Sequence, residues 1–297
     1  MGAPFRLLLP GLRGKGPGKA MRGKRRLRRR SQEGALALAI HDFIDDTARS
    51  VAFLSRVPVP QRHFTGHDGR LSRAVRAFPL AGVLIALPAA ALAAVLSAIH
   101  APPALLAFAA LALQVLVTGA LHEDGLSDSA DGIGGGRDRD NALAIMKDSR
   151  VGSYGAVALI LSFGLRAAAI AALATVLTPS GLGMALLAVA AASRTAMVWH
   201  WSLLPPARRD GVAASVGEPD GSATIFALAS GIAIAALLLL PHGTVFALLL
   251  ALAAAVAAVL VFNRIAGRKI GGHTGDTIGA TQQLAEMSVL FALALAL

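Results

Sequence analysis

The chain has 297 residues, 55% of them hydrophobic and only 15% charged, where a soluble domain carries about 25% charged residues; this excludes an ordinary water-soluble fold and indicates a membrane protein. It contains no cysteine, which excludes disulfides and thiolate-bound zinc. The net charge of +11 comes from eleven Lys and Arg within residues 1–30, where no acid occurs, because the rest of the chain balances 17 bases against 17 acids. The basicity therefore belongs to a tail and not to a nucleic-acid-binding surface.

Residues 1–33 are expected to be a disordered basic arm on anionic lipid, and 34–297 a single integral-membrane domain. Leu36, Ile40, Phe43, Ile44, Val51 and Leu54 recur at helical spacing, with Asp42, Asp45, Asp46 and Arg49 between them. The pattern predicts an amphipathic helix over 34–56 at the membrane interface, ended by Pro58 and Pro60. Apolar runs near the roughly 20 residues that cross a bilayer follow at 77–99, 103–121, 154–177, 182–201, 224–240 and 244–262, with a shorter run at 284–297. The expected fold is all-α: a polytopic membrane helix bundle of about seven transmembrane helices with an N-terminal interfacial amphipathic helix. The turns at 100–103, 178–181 and 241–243 carry no Lys, Arg, Asp or Glu, whereas 1–76, 122–152, 205–222 and 263–283 hold nearly all the charge. Cytoplasmic loops carry the Lys/Arg excess, so the N-terminus and all four charged regions are expected on the cytoplasmic face.

The stretch 122–150 stands out. It holds seven of the 17 acids: Glu123, Asp124, Asp128, Asp131, Asp138, Asp140 and Asp148. Asp124, Asp128 and Asp131, at i, i+4 and i+7, share one helix face. Three anions there repel one another unless a cation joins them, and oxygen ligands suit Mg²⁺. These three are the expected metal ligands. Glycines at 125, 132 and 134–136 let backbone approach a ligand. Arg137, Arg139, Lys147 and Arg150 offer donors for phosphate, although Lys147 and Arg150 have nearby partners in Asp140 and Asp148. The combination points to metal-assisted phosphoryl chemistry. His122 is either a general base or a polar helix end. Arg208, Arg209 and Asp276 belong to other loops of the same predicted face, and Glu286 is a further inward carboxylate. Arg166 and Arg194 fall inside spans and should face the bundle interior. Trp199, His200 and Trp201 sit where an aromatic belt is expected.

The run Gly119-Ala-Leu-His-Glu-Asp-Gly-Leu-Ser-Asp-Ser-Ala-Asp-Gly132, followed by Gly136-Arg-Asp-Arg and Ile145-Met-Lys-Asp-Ser-Arg-Val-Gly152, resembles the signature of the cobalamin synthase family. Phe53-Leu-Ser-Arg-Val-Pro-Val-Pro60, Phe78-Pro-Leu-Ala-Gly82, Ala207-Arg-Arg-Asp-Gly211 and Thr274-Gly-Asp-Thr-Ile-Gly-Ala280 extend the likeness over about residues 50–297. The resemblance implies an enzyme of the bacterial inner membrane with its active site toward the cytoplasm. Such an enzyme joins α-ribazole, or its 5′-phosphate, to adenosylcobinamide-GDP with Mg²⁺ and releases GMP. For that reaction His122, Asp124, Asp128 and Asp131 are the expected catalytic residues, and Arg137, Lys147, Arg150, Arg208 and Asp276 the candidate substrate-binding ones. Family members often carry Leu where this chain has Glu123, so Glu123 is not counted as an essential ligand. On the same resemblance, contact with the corrin ring is the alternative to an aromatic belt for 199–201.

Two other classes match the sequence less well. A CDP-alcohol phosphotransferase needs Ala and Arg where this chain has Asp128 and Ser129. A secondary transporter places ionisable residues near the midplane, often in paired broken helices, whereas these acids gather at one face and the halves show no repeat.

Overall fold

The computed structural model describes residues 38–208 and 211–297; the basic arm at 1–33, the start of the amphipathic helix and Arg209 lie outside them. The larger compact unit is Phe43–Leu297. Residues 38–54 form α1. It is followed by α2 (Phe78–Ala98), α3 (Pro103–Thr118), α4 (Leu121–Gly135), α5 (Arg139–Ile145), α6 (Ser153–Val176) and α7 (Pro179–Leu203). Then come the single turn α8 (Val212–Ser215), α9 (Gly221–Leu239), α10 (Val245–Lys269) and α11 (Gly275–Ala296). The described residues contain no β-strand, only one isolated bridge between Pro206 and His273. The protein is an all-α multi-pass bundle.

Helix α7 is the hub. It packs on α2, α9, α10 and α11 and buries most of its residues, from Leu182 to Trp201. Small side chains permit this: a Cβ on Gly82 of α2 would meet the Ala190 carbonyl oxygen at 2.7 Å. One large apolar cluster joins α2, α3, α6, α7, α9, α10 and α11. A second sits under α1, where Leu54 and Phe78 pack with Met197, Trp201 and Ile278.

Among the described residues six helices are long and apolar enough to cross a membrane; a seventh exists only if α3 and α4 count as one broken span, bent by 91°. The bend falls at Gly119 (φ 65°) and Ala120 (φ 60°). A left-handed alanine costs roughly 1–2 kcal/mol, so the turn is held by its surroundings: Arg56 N–H bonds Val117 O at 2.8 Å just before it. The expected straight second span thus becomes a 16-residue helix and a sharp redirection. The last span also differs. Instead of beginning near 284 it begins at Gly275, with a capping box between Thr274 and Thr277, and gains the length a crossing needs. Hydropathy hides this start because Gln282, Gln283 and Glu286 are buried polar residues.

Candidate active site

A cavity of about 250 Å³ lies between the first turn of α4, the C-terminal end of α7, the loop after it and the start of α11. Its polar wall includes His122, Asp124, Arg208, His273, Thr274 and Asp276. The close approach of α4 to α11 makes this wall. Gly125 sits directly on α11, where a Cβ would stand 2.7 Å from the Asp276 carbonyl oxygen. Only a residue without a side chain permits that contact.

Asp276 accepts hydrogen bonds at one oxygen from Arg208 Nη2 (3.0 Å) and Thr274 Oγ1 (3.1 Å). Arg208 Nη1 is buried with no partner, leaving a cationic donor for an anionic ligand. Asp128, one turn beyond Asp124, lies within electrostatic range of Asp124, Asp276, Asp131 and Arg208. His122 is 1% exposed, its Nε2 has no partner, and its side chain makes no hydrogen bond among the described residues. His273 is anchored by backbone bonds to Pro205 and Ala207 (2.9 and 2.8 Å) and through Nδ1 to Leu204 O (2.8 Å). Burial holds its pKa below the ordinary imidazole value.

The cavity wall brings His122, Asp124, Arg208 and Asp276 together, Asp128 lies one turn behind it between Asp124 and Asp131, and the Asp131 carboxylate is engaged by another helix. Both Asp131 oxygens accept backbone N–H groups at the start of α6, from Gly152 (2.7 Å) and Gly155 (2.9 Å). The carboxylate thus satisfies two of the orphan amides that begin every helix. The sequence spacing already contained the reason. Residues i and i+7 share a face, but they lie about 10 Å apart along the axis, so Asp131 meets the start of α6 while Asp124 faces the cavity at α11. Among the described residues no group of three His, Asp or Glu is arranged to hold a metal alone. A hard cation that takes only one or two carboxylates and completes its shell with water and phosphate fits Asp124 and Asp128.

The remaining cations of the motif stand apart from the cavity. Arg150 is exposed and clasps Asp148 through three bonds of 2.5–3.1 Å, which lowers the Asp148 pKa to about 2 and raises that of Arg150. Arg137 and Lys147 are exposed and do not line the cavity. Arg139 instead supports the rim: its Nε donates to Ile270 O at 3.0 Å and its Nη2 to Ala207 O. Lys269 Nζ donates to Gly136 O at 2.6 Å.

Beneath the cavity lies a charge network that sequence reasoning saw only in part. Arg166 (α6) bonds Glu123 (α4) and Glu286 (α11), and Arg194 (α7) bonds the other Glu286 oxygen. Gln283 Nε2 adds a 3.0 Å bond to Glu123, and Gln282 bonds Glu286. Two cations and two anions balance here, which makes burial tolerable. Trp201, expected in an aromatic belt, is 1% exposed and lines the cavity.

A family model described as cobalamin-5-phosphate synthase matches residues 46–294. The adenosylcobinamide-GDP ribazoletransferase of Sinorhizobium medicae (strain WSM419) is 67% identical over 259 residues, covering 87% of this chain and 99% of the relative. Its namesake in Rhizobium meliloti (strain 1021) is 64% identical over 259 residues, with the same coverage. The one in Brucella anthropi is 43% identical over 260 residues, 86% of this chain and 99% of the relative. No solved structure matches the chain. The match spans the cavity, the charge network and every described transmembrane helix, and the chain belongs to the cobalamin-5-phosphate synthase family.

Proposed function

We propose that this chain is an adenosylcobinamide-GDP ribazoletransferase that works at the cavity between α4 and α11. It joins α-ribazole, or its 5′-phosphate, to adenosylcobinamide-GDP and releases GMP. The observation that carries the placement is the meeting of Asp124 with the Arg208–Asp276 pair in one cavity. A ribose hydroxyl attacks the phosphorus bearing the aminopropanol arm of cobinamide. The P–O bond to GMP breaks, GMP departs with the bonding electrons, and the hydroxyl gives up its proton to a base. His122, buried and without a hydrogen bond of its own, is available to that hydroxyl. Arg208 Nη1 holds a phosphate oxygen and stabilises the charge that moves onto GMP. Asp124 and Asp128 would hold Mg²⁺, which when bound would supply positive charge against the pyrophosphate.

The test is release of GMP and formation of the cobalamin product by detergent-purified protein given both substrates and Mg²⁺. Absence of both products from folded protein would sink the reading. The site faces the cytoplasm of a bacterial inner membrane, a placement supported by the distribution of Lys and Arg among the loops. A Gly135→Cys variant of this cysteine-free chain tests it. Gly135 is exposed, with room for a side chain, and labelling only from the periplasmic side overturns the orientation.

A further inference from the structure

The cavity has a second wall that the phosphoryl chemistry does not use. Phe53, Leu54, Met197, Trp201, Val216 and Ile278 line it and belong to one hydrophobic cluster. The chain is only 5% aromatic and has two tryptophans, yet Phe53, Trp201 and His273 line this cavity and the buried Phe78 packs behind them. Phe53 stacks on Phe78 at 6.3 Å, Phe78 meets Trp201 at 6.4 Å, and Trp201 meets the edge of His273 at 6.5 Å. Trp201 Nε1 is buried without an acceptor. Apolar walls with a few polar groups recognise flat, largely apolar ligands.

We infer that this wall is the binding subsite for the heteroaromatic base of the ribazole, so that the base enters the cavity while the corrin ring stays outside it. The inference rests on the ribazoletransferase reading and adds the orientation of its two substrates. Size decides between them. The cavity holds about 250 Å³, below the roughly 300–1,000 Å³ of a site for a drug-sized ligand. A two-ring base fits such a space and a corrin macrocycle does not. Connectivity agrees. The base and the attacking hydroxyl are joined through one ribose, so the base subsite must adjoin the phosphate subsite. Here Trp201 and Ile278 share a cavity with Arg208 and Asp276.

The experiment measures initial rates of GMP release, varying each substrate while the other saturates. Met197→Phe fills the apolar space from α7, and Val216→Phe fills it from the loop, so failure of one variant to fold leaves the other. A mismatch of a methylene or so in an apolar pocket changes selectivity about 10–200-fold. Both variants should raise KM for α-ribazole at least about tenfold, with KM for adenosylcobinamide-GDP within about twofold and kcat retained at saturation. A third measurement needs no turnover. Trp199→Phe leaves Trp201 as the sole tryptophan, and its fluorescence lifetime should change saturably on adding α-ribazole alone. The inference is overturned if KM rises for adenosylcobinamide-GDP instead or as well, if neither KM moves, or if the Trp201 lifetime ignores α-ribazole. Failure of the unaltered enzyme to release GMP would count against the functional reading itself.

Discussion

Glu123 Oε1 accepts hydrogen bonds from both terminal nitrogens of Arg166, each at 3.3 Å, across 43 residues of sequence and inside the helix bundle. On the family resemblance Glu123 is not expected to be an essential ligand. In this chain Glu123 is 5% exposed and its carboxylate ties the helix of the acidic motif to α6. Removing one member of a buried pair leaves an uncompensated charge and costs about 3–5 kcal/mol. Glu286 remains beside Arg166, so Glu123→Leu should destabilise by about 3 kcal/mol, the lower end of that range. Thermal unfolding in detergent measures it. The double variant Glu123→Leu/Arg166→Met removes a charge of each sign and should recover most of the loss; an unchanged melting point for the single variant would contradict the pairing.

Asp124 and Asp131 should part company on mutation. Asp124→Asn keeps size and leaves folding intact, but it takes a charge from the site that neutralises phosphate, so transfer activity should fall at least about 100-fold. Asp128→Asn should resemble it, and the pair combined should cost less than the two effects summed. Asp131→Asn instead replaces an oxygen that accepts a backbone N–H with an NH₂ that cannot. It should lower stability by about 1–2 kcal/mol, as lost helix caps do. Activity and melting temperature measured on the same preparations separate the two classes, and equal behaviour of Asp124→Asn and Asp131→Asn would refute the division.

Gly125→Ala provides a test of the contact between α4 and α11. Within a helix this change ordinarily stabilises by about 1 kcal/mol. Here the new methyl meets the Asp276 carbonyl oxygen at 2.7 Å, with the Gly279 Cα at 3.2 Å, and backbone atoms cannot swing aside. The helices must separate, carrying Asp124 away from Asp276. Activity should drop at least about tenfold, since a displacement near 1 Å at a reacting site can cost up to about 100-fold. Wild-type kcat/KM with normal stability would show that the contact does not position the site.

The Asp148–Arg150 clasp should be a local surface feature. Asp148 titrates at about 2 because of its bonds to Arg150, below the roughly 3.9 of an unfolded aspartate. A depressed folded pKa contributes stability above the unfolded value and loses it as pH falls through the folded one, so the window lies between about pH 4 and 2. In Arg150→Gln the Asp148 pKa should rise toward about 3.9, as followed by NMR, while KM for adenosylcobinamide-GDP at neutral pH stays within about twofold of wild type. A KM increase of tenfold or more would return Arg150 to the substrate site.

Much about this protein is written in local pattern. Apolar runs long enough for a bilayer declare a multi-pass bundle. The cluster of acids, glycines and cations at 122–150 marks the neighbourhood of the site, because charge beside hydrocarbon is costly without a task. The tertiary structure decided which of those residues act together. Asp124 shares a cavity with Asp276, Asp131 caps α6, and Glu123 finds Arg166, since side chains turn toward different neighbours as the helix winds at 3.6 residues per turn and rises 1.5 Å per residue. The left-handed backbone at Gly119 and Ala120 aims α4, and nothing in the identity of an alanine announces it. Arg208 and Asp276 pair across 68 residues, and Trp201 turns from lipid to the cavity wall. These depend on which helices pack on α7, a consequence of global packing that no window of neighbouring residues contains.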